Sequence, residues 1–268
     1  MSPVFLFPGQ GSQKLGMGAD LFGQFPEEVA EANEILGYSL SDLCLNGPEE
    51  KLGQTQYTQP ALYFVSYLQA RVRTNPESAP KMAAGHSVGE FAALAYAGTF
   101  SFAEGLRMVA KRGEIMSKVR GGGMAAVIAL DFCKIKEVLR SEGLSLIDLA
   151  NFNSPGQIVI SGPAKEVAQS LGPLKVSGAF HSRMMKEPAL QFGEFLKEFS
   201  FLETSIPVYA NVTAAPYTDS SSIAETLVLQ MHSPVRWTET ILAMRKAGAK
   251  TFEECGPGKV LTKLLRQI

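Results

Sequence analysis

The sequence predicts an α/β fold in which a large domain is interrupted by a small unit of β-α-β-β-α-β order. Three observations lead to this. A short apolar run, Met82-Ala83-Ala84, enters the tight turn Gly85-His86-Ser87-Val88-Gly89, and Val88, Phe91, Ala92 and Ala95 then recur at helical spacing up to Gly98. The chain opens on a second apolar strand, Val4-Phe5-Leu6-Phe7, which breaks at Pro8-Gly9-Gln10-Gly11. Behind Gly121-Gly122-Gly123 the pattern changes to short alternating elements.

The elements follow in order. From the first strand to about Tyr67, helical segments alternate with loops expected at Gly37, Gly47-Pro48 and Thr58-Gln59-Pro60. Ser101-Phe102-Ala103-Glu104 fits a capping box, and Phe102, Leu106, Val109, Gly113 and Met116 share one face of the helix it opens. After the triglycine, taken as a hinge, strands are expected at 124–130, 144–151 and 157–161, and helices at 131–143 and 163–171. A last strand at 175–180 completes the split βαβ order, so the small domain spans 123–183 and the large one comprises 1–122 and 184–268. Further strands of the main sheet are expected at 206–211 and 251–254.

Composition limits the functional classes. The 268 residues are 46% hydrophobic, and the 19% that are charged are mixed in sign with a formal net charge of -1. A nucleic-acid or anionic-membrane partner would require a basic patch, so neither is expected. Cys44, Cys133 and Cys255 are odd in number and contain no C-x-x-C pair, which argues for reduced thiols and against a disulfide framework or a metal site. No stretch reaches transmembrane length, and no basic n-region precedes a long apolar segment, so a cytoplasmic location is expected.

The turn around Ser87 reads as a nucleophile elbow. A sharp strand-to-helix bend lifts the serine Oγ clear of the backbone, and both flanking positions must be almost free of side chain; here both are glycine. The hydroxyl needs a base, for which histidine is suited near neutral pH. Of the three histidines, His86 adjoins Ser87 and diverges from it in a tight turn, where it fixes the elbow or lines a pocket. His181, expected at the carboxyl end of the 175–180 strand, is preferred to His232, although its position is equally that of a histidine at a domain junction. An oxyanion hole would draw one backbone N–H from Val88 and a second from the Gly9-Gln10-Gly11 loop, for which Gln10 is chosen. The other use of such a loop, a phosphate cradle, lacks both G-x-G-x-x-G and a Walker lysine here. Arg112 lies at the margin of an apolar helical face, and periodicity favours a snorkelling side chain over an inward one. Pointing inward, its planar fork would bind a carboxylate through two parallel hydrogen bonds.

Six motifs in order, Phe7-Pro8-Gly9-Gln10-Gly11-Ser12-Gln13, Gly85-His86-Ser87-Val88-Gly89-Glu90, Lys111-Arg112-Gly113, Gly178-Ala179-Phe180-His181-Ser182, Ser233-Pro234-Val235-Arg236-Trp237 and Gly256-Pro257-Gly258, resemble those of the malonyl-CoA:acyl-carrier-protein transacylases and the acyltransferases of polyketide synthases. The resemblance implies an α/β-hydrolase-like large domain with an inserted ferredoxin-like small domain. It implies Ser87 as nucleophile, His181 as base, Gln10 and Val88 as oxyanion donors, and Arg112 as holder of the malonyl carboxylate. It also implies that the carbonyl of Gln230, rather than an aspartate, orients the histidine, and that Gln59 and Asn153 line the site. Phe180 before the histidine and Val88 after the serine resemble the malonyl-using members.

The implied substrates are malonyl-CoA and the phosphopantetheine thiol of an acyl carrier protein, with no resident cofactor. Phe180-His181-Ser182-Arg183 and Thr55-Gln56-Tyr57-Thr58-Gln59-Pro60 most resemble discrete acyltransferases serving polyketide synthases in trans. A housekeeping fatty-acid transacylase, an acyl hydrolase acting on carrier proteins and a non-catalytic docking subunit are the alternatives. One departure is the short connection Gly172-Pro173-Leu174 into the last small-domain strand.

Overall fold

The computed structural model describes residues 2–170 and 178–268. The chain runs β1 (Val4–Phe7), α1 (Pro26–Leu36), α2 (Leu40–Asn46), α3 (Glu49–Leu52), α4 (Thr55–Arg73), β2 (Met82–Gly85), α5 (Gly89–Tyr96) and α6 (Phe102–Ser117). Then come β3 (Gly122–Ile128), α7 (Phe132–Ser141), β4 (Asp148–Ser154), β5 (Gln157–Pro163) and α8 (Ala164–Ser170). The remainder is α9 (Lys186–Leu196), β6 (Val208–Tyr209), α10 (Ile223–His232), α11 (Trp237–Lys246), β7 (Phe252–Glu254) and α12 (Val260–Leu265). Among the described residues two sheets form: a parallel one of order β6-β2-β1-β7 and an antiparallel one of order β3-β5-β4.

Strand β1 is apolar at every position because it is buried on both faces, as parallel strands between helical layers are. Phe5 and Phe7 enter the large core with Phe64, Phe91 and Leu106, whereas Val4 and Leu6 face Trp237, Ile241 and Leu264. The register Phe7↔Gly85 aligns the carboxyl ends of β1 and β2, so the Gln10 loop and the Ser87 turn leave the sheet side by side. Open parallel sheets bind ligands at this edge.

The small sheet is also two-sided. Ala125, Val127, Ile158 and Ile160 pack on Ile135 and Val167, while Met124, Ala150 and Val159 turn toward the large core. Its edge strand β4 is stitched to the segment before α11, with Phe152 N–H donating to Val235 O (2.9 Å) and Val235 N–H to Ala150 O (2.8 Å).

Several sequence expectations need correction. The break at Thr58-Gln59-Pro60 is absent: α4 runs through Pro60, which lies near its N-terminal end and forfeits only the bond to the Gln56 carbonyl. Burial of the helix, from Thr58 to Val65 without interruption, outweighs that loss. The triglycine is only partly a turn, since Gly122 and Gly123 already pair in β3. A Cβ on Gly122 would lie 2.4 Å from Ala179 N, so the residue permits close passage of that segment. Strand β3 accordingly starts and ends two residues before the expected 124–130. Strand β4 lies later than 144–151, because Leu144 and Ile147 fill the small core from the preceding connection. Most of the expected 175–180 strand and the Gly172-Pro173-Leu174 connection lie outside the described residues; 178–180 form bend and turn.

The capping box at Ser101 and Glu104 is present, and all five residues of the predicted α6 face are buried. At the elbow, a Cβ on Gly85 would lie 1.9 Å from Gly89 C, and one on Gly89 would lie 2.1 Å from Phe7 O. Neither contact can relax, because the atoms struck are backbone. Gly89→Ala should therefore destabilise the fold by about 1–3 kcal/mol in urea unfolding. Gly156→Ala, where a Cβ meets nothing within 4 Å, should stay within about 0.5 kcal/mol of the parent. Equal effects would show that the elbow does not depend on its glycines.

Candidate active site

Ser87 sits at φ +53°, in the left-handed region where a non-glycine residue is rare and strained. Two side chains compensate. Asn211 Oδ1 accepts from Ser87 N–H (2.7 Å), Asn211 Nδ2 donates to Gly85 O (2.6 Å), and Gln230 Nε2 donates to Ser87 O (3.0 Å). Glu90 ties both partners down: Oε2 accepts from Asn211 N–H (3.2 Å) and Gln230 Nε2 (2.8 Å), and Oε1 accepts from the Tyr217 hydroxyl.

The turn presents Ser87 Oγ to His181 Nε2 at 2.8 Å. His181 Nδ1 lies 2.8 Å from Gln230 O and 3.2 Å from Ser233 O. Carbonyls only accept, so Nδ1 carries the proton and Nε2 is left to accept from the serine hydroxyl. His181 is in a loop, itself at φ +55°, with its N–H donating to Met231 O (3.1 Å). Burial, followed by the Arg112 guanidinium, lowers its pKa to about 3. The ring is therefore neutral and unprotonated at Nε2 throughout the physiological range.

Arg112 does not snorkel. It is 1% exposed, and its Nη1 donates to Gln59 Oε1 (2.7 Å) and its Nη2 to Gln230 Oε1 (2.8 Å) and Ser87 Oγ (3.3 Å). Helical periodicity placed it at the face margin; the polar partners that accommodate it come from α4 and α10, which one helix's pattern cannot reveal. No carboxylate among the described residues reaches ion-pair distance of it, and its buried Nε has no partner among them. Burial lowers its pKa to about 10, so it remains a cation at neutral pH. The site thus holds a buried positive charge facing neutral acceptors, an arrangement that a bound carboxylate would complete.

A cavity of about 170 Å³ joins these groups, lined among others by Gln10, Val88, Phe180 and Asn153. The N–H groups of Gln10 and Val88 have no acceptor among the described residues and are available to an oxyanion. His86 lines the cavity rather than serving as base: Nε2 lies 2.8 Å from Asn153 Oδ1, its ring packs on Trp237, and burial lowers its pKa. His232 ends α10 and lines a neighbouring groove. Sequence reading missed Met124, Asn151 and Val159 in the cavity wall and the Glu90–Asn211–Gln230 side-chain network behind the elbow. The available signals were Asn211 at the carboxyl end of a predicted strand and Glu90 at the end of the elbow motif. No group of three or more His, Cys, Asp or Glu side chains suited to a metal ion occurs among the described residues, nor is any helix among them long and apolar enough to cross a membrane.

The parallel sheet, the elbow and the Ser87–His181 pair form an arrangement that serine-centred acyl chemistry could use. Comparison with known proteins narrows it: an acyl transferase domain model matches residues 4–268. The chain is 50% identical over 277 residues to the polyketide biosynthesis protein ThaF of Burkholderia thailandensis, covering 99% of this chain but 24% of that protein. It is 46% identical over 278 residues to PksC of Bacillus subtilis, a polyketide biosynthesis malonyl CoA-acyl carrier protein transacylase, covering 99% and 96%. A solved malonyl CoA-acyl carrier protein transacylase from Burkholderia pseudomallei superposes with a TM-score of 0.94 at 42% identity, covering 100% of this chain and 97% of that one. A type II polyketide synthase acyl carrier protein bound to its malonyl-transacylase gives 0.93 at 38%, covering 100% and 93%. The chain belongs to the acyltransferase family that includes the malonyl-CoA:acyl-carrier-protein transacylases.

Reaction of Ser87 with phenylmethylsulfonyl fluoride tests the electrostatics. An imidazole of ordinary basicity would lose its reactivity below about pH 6.5 as the ring takes up a proton. A pKa depressed to about 3 keeps Nε2 free, so the rate should stay level from pH 8 to pH 5. In Arg112→Ala the decline should move to higher pH, because the neighbouring cation is lost. A wild-type inflection near pH 6.5 would contradict the neutral, buried ring.

Proposed function

We propose that this chain transfers a malonyl group from malonyl-CoA to the phosphopantetheine thiol of an acyl carrier protein through a malonyl ester of Ser87. The observation that carries the proposal is the buried Arg112 fork beside the Ser87–His181 pair, together with relatives named for this activity. Ser87 Oγ passes its proton to His181 Nε2 and attacks the thioester carbonyl. The oxyanion is met by the N–H groups of Gln10 and Val88. Collapse breaks the C–S bond, and the proton on Nε2 goes to the departing CoA thiolate. The carrier thiol then gives its proton to the same nitrogen, attacks the ester and releases Ser87 with its hydroxyl restored.

Arg112 is the selectivity element in this reading, with Gln59 and Gln230 holding the fork and Phe180 and Val88 bounding the acyl group. An acetyl group leaves the buried guanidinium with only amide oxygens, whereas the malonyl carboxylate supplies an ionic partner. Service to a polyketide synthase in trans is supported by identities of 45–50% to polyketide proteins, against 40–41% to transacylases whose names specify no pathway. A cytoplasmic site of action goes with this reading and with three cysteines that are free thiols. The same reading divides the chain into a large unit, 1–122 with 184–268, and an inserted unit, 123–183.

Single-turnover labelling tests the proposal. Malonyl-CoA should acylate the wild-type chain but not Ser87→Ala, and the ester should persist in water yet discharge to a holo carrier protein. Arg112→Ala should lower the malonyl-to-acetyl ratio of acylation rates by about 100-fold. A wild-type chain that takes no malonyl, or an ester lost to water faster than to the carrier, would overturn the transferase reading. An unchanged ratio in Arg112→Ala would overturn the role of the fork.

A further inference from the structure

Glu90 has no place in the chemistry described above, yet it is a fully buried carboxyl in the first turn of α5, three residues past the nucleophile. Its surroundings are donors. Asn211 N–H and Gln230 Nε2 share Oε2, and the Tyr217 hydroxyl takes Oε1; the charged group facing it is Arg112, reached only across the Gln230 amide. Resting on the malonyl-transfer reading, we infer that Glu90 is a positioning residue whose two oxygens fix Asn211 and Gln230, and through them both the Ser87 turn and the direction of the Arg112 fork.

Gln230 Nε2 has two hydrogens, one on Ser87 O and one on Glu90 Oε2, so its amide must present Oε1 to Arg112 Nη2. The same residue's backbone oxygen accepts from His181 Nδ1. One residue therefore contacts three parts of the site, Ser87, Arg112 and His181, and among the described residues Glu90 is the only side-chain acceptor for its amide. Asn211 is held in the same way: its backbone N–H is on Glu90, while its amide holds Ser87 N–H and Gly85 O. Removing the carboxyl would leave three buried donors facing an apolar group, and they would relax toward other acceptors. Burial raises the Glu90 pKa to about 7, in keeping with a role as acceptor that does not require permanent charge.

Reach and charge make different predictions, and three substitutions separate them. Glu90→Gln keeps the length, and its amide oxygen can occupy the Oε2 position while its NH₂ donates to Tyr217 Oη. Glu90→Asp keeps the charge but withdraws the oxygens by one methylene. Glu90→Leu removes the acceptors. The measurement is the malonyl-to-acetyl ratio of acyl-enzyme formation, which a loss of folded protein alone would not move. Glu90→Leu and Glu90→Asp should lower the ratio at least ~10-fold, and Glu90→Gln should hold it within ~3-fold.

If Glu90→Leu fails to fold, the comparison of Asp with Gln decides the matter. A wild-type ratio in Glu90→Asp, or a ratio in Glu90→Gln as low as in Glu90→Asp, would overturn the inference. The wild-type protein is the control for the underlying reading: if it forms no malonyl ester, the proposed function fails before Glu90 is tested.

Discussion

A serine held at φ +53° is strained by about 1–3 kcal/mol relative to ordinary backbone, and such strain persists only where the surroundings over-determine it. Here the surroundings are fully specified. Glycines on either side let β1, β2 and α5 approach to distances no side chain would allow, and amide side chains from beyond β6 and from α10 take both polar groups of the Ser87 backbone. The parallel sheet matters because its register delivers the Gln10 loop and the Ser87 turn to one edge. The geometry of the reaction centre is thus a property of backbone packing, and the side chains that act are the last parts placed.

The second constraint is electrostatic. Burying a guanidinium without a carboxylate is costly, and this fold limits the cost with amide oxygens from Gln59 and Gln230, the face of Phe91 and a carboxyl one residue removed. None of these partners is as favourable as a directly paired anion. The field of that cation also reaches His181 and helps to keep its ring neutral. Under the proposed function, substrate selection and readiness of the base would thus share one charge, which for the histidine adds to the larger effect of burial.

How much of this was legible in the sequence depended on whether the signal was local. The elbow and the capping box at Ser101 are written in contiguous residues whose backbone needs are distinctive, and the first strand is a continuous apolar run. Pro60 misled because a proline cost of one hydrogen bond was set against helix burial that only the tertiary structure displays. Strand β4 lies later than 144–151 because the apolar Leu144 and Ile147 read as strand but fill the small core from the connection, while the polar Asn153 beyond Asn151 continues the strand as cavity wall. Arg112 illustrates the same limit: its acceptors lie 53 and 118 residues away, so helical periodicity alone gave the wrong side chain direction. The Glu90 network joins α5 to β6 and α10 and has no local sequence period, although each member adjoined a motif or a strand end.

The weak bond from Arg112 Nη2 to Ser87 Oγ has a consequence for timing. A hydroxyl oxygen that accepts from a cation has less electron density to give, so under the proposed function the resting geometry would leave Ser87 Oγ partly masked by the same guanidinium that is to bind the substrate. A malonyl carboxylate that engaged Nη2 as its own partner would withdraw that donor and unmask the oxygen. On that reading recognition and reactivity would be interlocked, with a neutral acyl group leaving the Arg112–Ser87 hydrogen bond in place.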